Sequence, residues 1–195
     1  MEEDRRVRKT RQALRGALVE LMAEKDVREI TVKELTERAD VNRGTFYCHY
    51  RDVYDMLAKV EEEMFGEFTA VMDAYPSDEL RQGLRPILRD VFRFVGKNAD
   101  LCGWFLRTSE DSGFFQRLRG VIRDKTVREW EGLYPFRDER QREQCLAFLV
   151  GGCVGLARQW LDSGMAETAE EMAGLAEGLI VGGITIRNEK LGMKN

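Results

Sequence analysis

Histidine occurs once in these 195 residues and cysteine four times, with no CxxC pair. A zinc site needs three or four Cys, His or carboxylate ligands at short spacing, and a disulfide framework needs paired cysteines in an oxidising compartment. Cys48, Cys102, Cys145, Cys153 and the lone His49 supply neither pattern. Reduced, buried thiols are expected, with no metal and no cofactor. Catalytic constellations are equally scarce. No paired carboxylates, no nucleophile with a base and no phosphate-cradling glycine loop can be found, which argues against an enzyme. Long apolar runs are missing too: the longest, 145–157, has 13 residues between charged flanks and is too short to span a bilayer. Residues 2–11 are almost all polar, so no signal peptide is visible and a cytoplasmic location is expected.

What is present is the composition of a soluble globular protein, 43% apolar and 34% charged, with a formal net charge of −4. The charge is unevenly spread. Residues 1–60 hold 13 Lys and Arg against 12 Asp and Glu, whereas the remainder hold 18 against 23. Within the first part Arg5, Arg6, Arg8, Lys9 and Arg11 form an amino-terminal arm, and Arg43 and Arg51 bracket a stretch without acids. A local basic face on an acidic body is compatible with phosphate binding.

That stretch lies within 31–57, the most informative part of the chain. Thr31 followed by Glu34 reads as a capping-box start, and Leu35 and Ala39 give a short helix one apolar face. Asp40 can close it, because a short polar side chain tolerates the left-handed backbone, and Val41 is expected as a buried hinge. A second helix follows from Asn42 to about Tyr50, with Phe46 and Tyr50 four apart and facing inward. Asn42, Arg43, Thr45, Tyr47 and His49 are left on its other faces. A core position is the rival reading for Tyr47, but Phe46 and Tyr50 already define the inward face. Two short helices joined by a tight turn form a helix-turn-helix, which fits a DNA major groove. Asp52 and Asp55 then cap a third, longer helix.

Upstream, Leu14, Leu18, Leu21 and Met22 predict an amphipathic helix over 6–24. Downstream, Val53, Leu57, Val60, Met64, Phe68 and Val71 predict one helix reaching about Ala74. The domain boundary is placed on that helix, giving a DNA-binding domain over 1–58 and a helical body over 59–195. Pro76 disfavours helix at Tyr75. The body reads as helices over 78–96, 101–107, 112–133, 138–163 and 168–188, with Pro86 implying a kink or a late start and Pro135 an end. The expected fold is all-α, with about nine helices. Strand is the rival for 179–186, where β-branched residues gather, but helical spacing continues there and no partner strand appears. Glycines at 151, 152, 155, 174, 178, 182 and 183 each cost a helix about 0.5–1 kcal/mol, and so many among apolar residues imply that two helices approach closely.

The ordered block Thr31-Val32-Lys33-Glu34-Leu35, Ala39-Asp40-Val41, Gly44-Thr45-Phe46-Tyr47, His49-Tyr50 and Leu57 resembles the TetR family of bacterial transcriptional regulators. Gly151-Gly152, Trp160-Leu161, Gly164 and Glu170-Glu171-Met172 resemble the last two helices of that family's ligand-binding domain. The resemblance implies a homodimer through helices 138–163 and 168–188, a palindromic double-stranded DNA operator as partner, and a small-molecule effector bound in the body. It places base-reading roles on Lys33, Asn42, Arg43, Thr45 and Tyr47, and phosphate contacts on Thr31, Tyr47 and His49. The chemistry agrees: arginine and lysine pair with guanine, asparagine with adenine, the threonine methyl with thymine, and hydroxyls and imidazole hold phosphates. Three positions depart from the family. Asp40 stands where a glycine or alanine is usual, Val53 where a lysine is common, with Arg51 a substitute phosphate contact, and Cys48 at a variable position of the reading helix. For the effector, Phe68, Trp104 and Phe105 are first choices, because they fall where the connecting helix would face the short one. A helical adaptor that binds a protein partner without reading DNA is the alternative.

Overall fold

The computed structural model describes residues 5–107, 113–130 and 136–191, and of Arg107, 126–130 and 183–191 the backbone alone. The helices are α1 (Arg5–Glu24), α2 (Val32–Arg38), α3 (Arg43–Tyr47), α4 (Val53–Asp73), α5 (Ser77–Leu80), α6 (Arg85–Lys97), α7 (Ala99–Arg107), α8 (Gly113–Trp130), α9 (Glu139–Asp162) and α10 (Ala169–Leu191). A 3-10 turn, Val27–Glu29, precedes α2. Among the described residues there is no strand, and 179–186 is helical. The chain is all-α. It divides into two compact units, Met1–Gly66 and Glu67–Asn195, and α4 runs out of the first into the second.

In the first unit α1 buries Leu14, Ala17, Leu18, Leu21 and Met22, the stripe its spacing dictates. Leu35, Phe46, Met56 and Val60 are equally sequestered. Each such side chain contributes about 1.5–3 kcal/mol of transfer free energy. Ion pairs fix which helix meets which: Arg38 of α2 reaches Glu20 and Glu24 of α1, and Arg11 of α1 pairs with Glu63 of α4. Exposed pairs of this kind add at most about 1 kcal/mol each, so burial holds the unit and the pairs set its alignment.

The helix ends follow local chemistry. Thr31 Oγ1 accepts the Glu34 N–H at 3.2 Å while Glu34 accepts the Thr31 N–H at 3.0 Å, the reciprocal box that starts α2. Its end uses Asp40 at φ 52, with Asp40 N–H on Glu37 O and Val41 N–H on Thr36 O at 2.9 Å. This is a Schellman motif with aspartate in the glycine position. Val41, expected as a buried hinge, is half-buried, because the turn uses its backbone N–H rather than its side chain. Helix α3 stops at Tyr47 rather than Tyr50; His49 N–H and Tyr50 N–H both turn onto Phe46 O at 2.9 Å, closing the last turn. Asp55 N–H donates to Asp52 Oδ1 at 2.8 Å, and Asp55 Oδ2 accepts the Arg51 N–H at 3.0 Å.

Along α4 the buried positions are Val53, Met56, Val60, Met64, Phe65, Phe68 and Met72, whereas Leu57 and Val71 are half-buried. Steps of four residues advance the face by about 40° each in a 3.6-residue helix. Helix α4 therefore buries one side at Met56 and a nearly opposite side at Met72. A fixed apolar stripe was the wrong template for it.

In the second unit the segment 78–96 is two helices, which raises the described number to ten. Gly83 turns the chain at φ 146, and Pro86 sits in the first turn of α6, where its missing N–H costs nothing. The orphan N–H groups of Leu84 and Arg85 are taken by one carboxylate oxygen of Glu177, on α10, at 2.8 and 2.9 Å. Helix α10 packs chiefly along α6, and Arg85 also pairs with Glu170 at 2.7 Å. Asp138 caps α9 by accepting the Gln141 N–H at 2.7 Å. Its other end turns through Gly164 at φ 76 and Met165 at φ 57. Thr168 and Glu171 repeat the Thr31–Glu34 box at the start of α10. Ser112, Leu133 and Pro135, expected to bound α8, lie outside the described residues, as do the surroundings of Gly183.

Among the described residues, the glycines of α9 and α10 do not mark a close approach of two helices. A Cβ at Gly151, Gly152, Gly155, Gly178 or Gly182 would meet nothing within 4 Å, and at Gly174 it would meet the Arg85 guanidinium at 3.4 Å. With α10 laid along α6, most of that glycine face is left uncovered by the chain itself.

Two expectations can be measured. Glu177→Ala removes a charged acceptor from the two donors at the start of α6 and should lower unfolding free energy by about 1–2 kcal/mol in urea titration. Gly83→Ala should do comparable damage, since its Cβ would stand 3.1 Å from Glu177 Oε1 at a left-handed φ. The second concerns acid. The Arg28 guanidinium and N–H hold Asp26 down from 3.8 to about 2, Lys25 and Thr31 hold Glu34 down from 4.5 to about 2, and the Arg51 N–H with Lys59 holds Asp55 down from 3.8 to about 2. A depressed folded value means stability that is complete above the ordinary carboxylate range and lost as pH falls toward 2. Carboxyl carbon NMR titration should place all three midpoints below 3; midpoints near 4 would remove this acid-labile contribution.

Candidate nucleic-acid interface

Five residues make a very short helix, and α3 buries only one of them, Phe46. Tyr50 follows at 4% exposure, its ring 5.5 Å from that of Phe46, so the inward face is two stacked-in aromatics. Asn42 is the N-cap: its Oδ1 accepts the Gly44 N–H at 2.7 Å, which leaves its amide NH2 for another acceptor. A Cβ at Gly44 would stand 3.2 Å from that same oxygen, which suits a glycine there.

The outer face carries Arg43, Tyr47 and Cys48, with Tyr47 at 58% exposure, and Thr45 and His49 half-buried. Tyr47 stands edge-on to Phe46 at 5.5 Å and 83°, so its ring is braced while its hydroxyl remains in solvent. Arg43 makes no ion pair among the described residues. Lys33, on the neighbouring α2, is exposed and 3.9 Å from Glu37, a pairing loose enough to exchange. Arg51 is 87% exposed at its side chain and rests on Asp55 at 3.1 Å. The Thr31 hydroxyl, by contrast, is engaged on Glu34 at 2.7 Å, so a phosphate would have to displace that carboxylate. Arg5, Arg6, Arg8 and Lys9 of the arm are exposed, while Arg11 is taken by Glu63.

The departures look different in three dimensions. Asp40 is exposed at the turn, and Val53 is buried at 4%, so the residue standing in the lysine position has joined the core. Cys48 is a free, exposed thiol whose Sγ lies 3.2 Å from Gly44 O. Two residues escaped the sequence reading. Lys59 donates from Nζ to His49 O at 2.9 Å and to Asp55 Oδ2 at 3.0 Å, and sits 5.4 Å over the Tyr50 ring. It fastens the end of α3 to α4; the signal was the four-residue spacing of Arg51, Asp55 and Lys59. Tyr54, at 56% exposure on the first turn of α4, had no signal of its own.

In the second unit Phe68 packs against Phe94 at 5.7 Å. Trp104 meets Phe105 edge-on at 4.9 Å, and Phe105 stacks on Phe114 at 4.5 Å and 8°. Phe68 and Phe105 are buried and Trp104 half-buried. On α9 and α10 the exposed large apolar side chains are Phe148 at 72%, Leu175, Leu179 and Val181, beside the open glycines. Among the described residues no helix is long and apolar enough to cross a membrane, and no three metal-ligating side chains come together.

Residues 14–60 match the model of bacterial regulatory proteins of the tetR family, and residues 82–182 match a transcriptional regulator C-terminal region. Over 83 residues the chain is 42% identical to the uncharacterized HTH-type transcriptional regulator YxbF of Bacillus subtilis (strain 168), covering 38% of this chain and 22% of that relative. The match thus spans less than a quarter of the relative's length. Among solved structures, the fatty acid degradation regulator FadR from Bacillus halodurans superposes at TM-score 0.67 and 16% identity, over 94% of this chain and 98% of that one. SmeT, the repressor of the Stenotrophomonas maltophilia multidrug efflux pump SmeDEF, does so at 0.63 and 17%, over 90% and 91%. A complex of SmeT with triclosan aligns at 0.60 and 16%, over 89% and 90%. At these identities the structural likeness speaks to the fold. With both its helix-turn-helix part and its carboxyl-terminal part matched, the chain belongs to the TetR family of bacterial transcriptional regulators.

Proposed function

We propose that this regulator is a repressor that holds a palindromic operator as a homodimer and leaves it when a small molecule binds its second unit. One observation carries the reading: α3 turns Phe46 inward and presents outward a braced, exposed Tyr47 and an exposed Arg43 that has no ion pair among the described residues. Arg43 is suited to a guanine edge, the Asn42 amide and Lys33 to neighbouring base edges, and Thr45 to a thymine methyl. Tyr47, His49, Arg51 and the arm supply phosphate contacts. Thr31 contributes less than its family role implies, because its hydroxyl is engaged on Glu34.

The outward face of α9 and α10 supports pairing with a second copy. Phe148, Leu175 and Leu179 lie exposed beside glycines that let a partner backbone come close. For the effector, the aromatic set around Trp104, Phe105 and Phe114, with Phe68 on α4, favours an apolar or aromatic small molecule; the SmeT complex holds triclosan. Binding there would act through α4, moving the reading helices off the spacing of roughly 34–36 Å that two half-sites demand. A DNA-binding domain over 1–58, an effector and dimerisation domain over 59–195 and a cytoplasmic location follow from this reading.

Selection of bound duplexes from a random pool tests it. The selected operator should be preferred over random duplex, with affinity falling by about 10³-fold between about 50 and 200 mM salt. Arg43→Ala and Tyr47→Ala should abolish that preference while leaving circular dichroism unchanged. No preference in the wild type would favour the adaptor instead. Phe148→Glu should convert the dimer to a monomer in sedimentation without lowering helix content, and a persistent dimer would move the pairing surface elsewhere.

A further inference from the structure

Tyr75 follows the last turn of α4 and is buried, and polar groups from two other helices close on it. Its hydroxyl donates to Asp90 Oδ2 of α6 at 2.5 Å. Its carbonyl, in the break between α4 and α5 where the regular supply of N–H donors stops, accepts from Lys125 Nζ of α8 at 2.5 Å. Lys125 is a lysine at 3% exposure, placed at the negative end of the α4 dipole. Asp90 is in turn held by Arg89 Nε at 3.2 Å and Arg93 at 3.0 Å, and Arg89 lies 4.0 Å from Glu170 of α10. The carboxyl end of α4 is thereby gripped from α6 and α8, with a connection onward to α10.

Packing alone does not call for this. The neighbouring contacts of α4 within the second unit are apolar, such as Phe68 on Phe94, or an exposed ion pair, Lys97 on Glu67 at 2.9 Å, and both tolerate sliding by a fraction of an ångström. Hydrogen bonds to a buried ammonium and a buried phenol do not, and burying those groups is costlier than burying hydrocarbon of similar volume. A directional grip admits discrete positions of the helix end, made or broken. It sits on the one helix that enters both units.

We infer that Tyr75, gripped by Lys125 and Asp90, is the positioning residue that holds α4 in its operator-binding arrangement. The inference rests on the operator-binding reading above and names the regulatory joint within it. Losing the grip frees the end of α4, so the operator-competent arrangement becomes less populated although no DNA-facing residue has changed.

The experiment compares wild type, Tyr75→Phe, Lys125→Met and a control, Phe115→Leu, which trims a buried ring on α8 and leaves Tyr75, Asp90 and Lys125 unchanged. Affinity for the selected operator is measured by fluorescence anisotropy without effector, beside melting temperature and dimer mass. Folded, dimeric Tyr75→Phe and Lys125→Met should each bind about 3- to 30-fold more weakly. The two changes break different bonds of the joint, so the double variant should bind at least as weakly as the weaker single. The control should melt lower and bind as wild type does. Affinities within twofold of wild type, tighter binding, or an equal loss in the control would each overturn the joint. If Lys125→Met does not fold, Tyr75→Phe decides alone. Absence of any preferred duplex for the wild type removes the operator-binding reading and the joint with it, an outcome distinct from unchanged variants.

Discussion

A five-residue helix cannot support itself: its hydrogen bonds do not repay the nucleation of its first turn. Helix α3 exists because Phe46 is fully buried and Tyr50 closes over it, so the outward face is displayed by a core it did not build. Around that anchor the first unit is arranged. Leu35 of α2, the Leu14–Leu18–Leu21 stripe of α1 and Met56 and Val60 of α4 supply the apolar surround, and Lys59 secures the trailing end through His49 O. Tyr47 is braced only because Phe46 is immobile beside it. The outward residues of α3 thus depend on buried ones for their placement.

Charge is handled by pairing at element ends rather than by a basic surface. Asp26, Glu34 and Asp55 each accept a backbone N–H, from Arg28, Thr31 and Arg51 respectively, and each is also matched by a cation. These carboxylates hold turns in shape, and among the described residues none of them pairs with Arg43. The second unit uses the same device over longer range, where Glu177 starts a helix 92 residues away in sequence.

Legibility in the sequence followed the range of the interactions. The Thr31–Glu34 box, the left-handed Asp40, the inward pair Phe46 and Tyr50 and the exposure of Tyr47 all come from neighbours within a few positions, and they are read correctly. The extra break at Gly83 was hidden because apolar spacing continues across it, and what makes α6 start at Arg85 is a carboxylate from α10. The buried face of α4 was misread at Leu57 and Val71 because the face rotates along the helix. Whether the Thr31 hydroxyl is available depends on a rotamer, which residue types do not reveal. Phe68, Trp104 and Phe105 were chosen because the connecting helix would face the short one; what the rings add is local pairing, Phe68 with Phe94 and Phe105 with Trp104 and Phe114.

The uncovered glycines of α9 and α10 carry a consequence for how such a protein can diverge. Since a methyl group at Gly151, Gly152 or Gly155 meets nothing within 4 Å among the described residues, alanine there should if anything stiffen the helix. Retaining glycine is a sacrifice of helix propensity with no internal return. If two copies pair through this face as proposed, a single side chain added there after gene duplication could insulate two sister regulators from mixing at little expense to the fold of either.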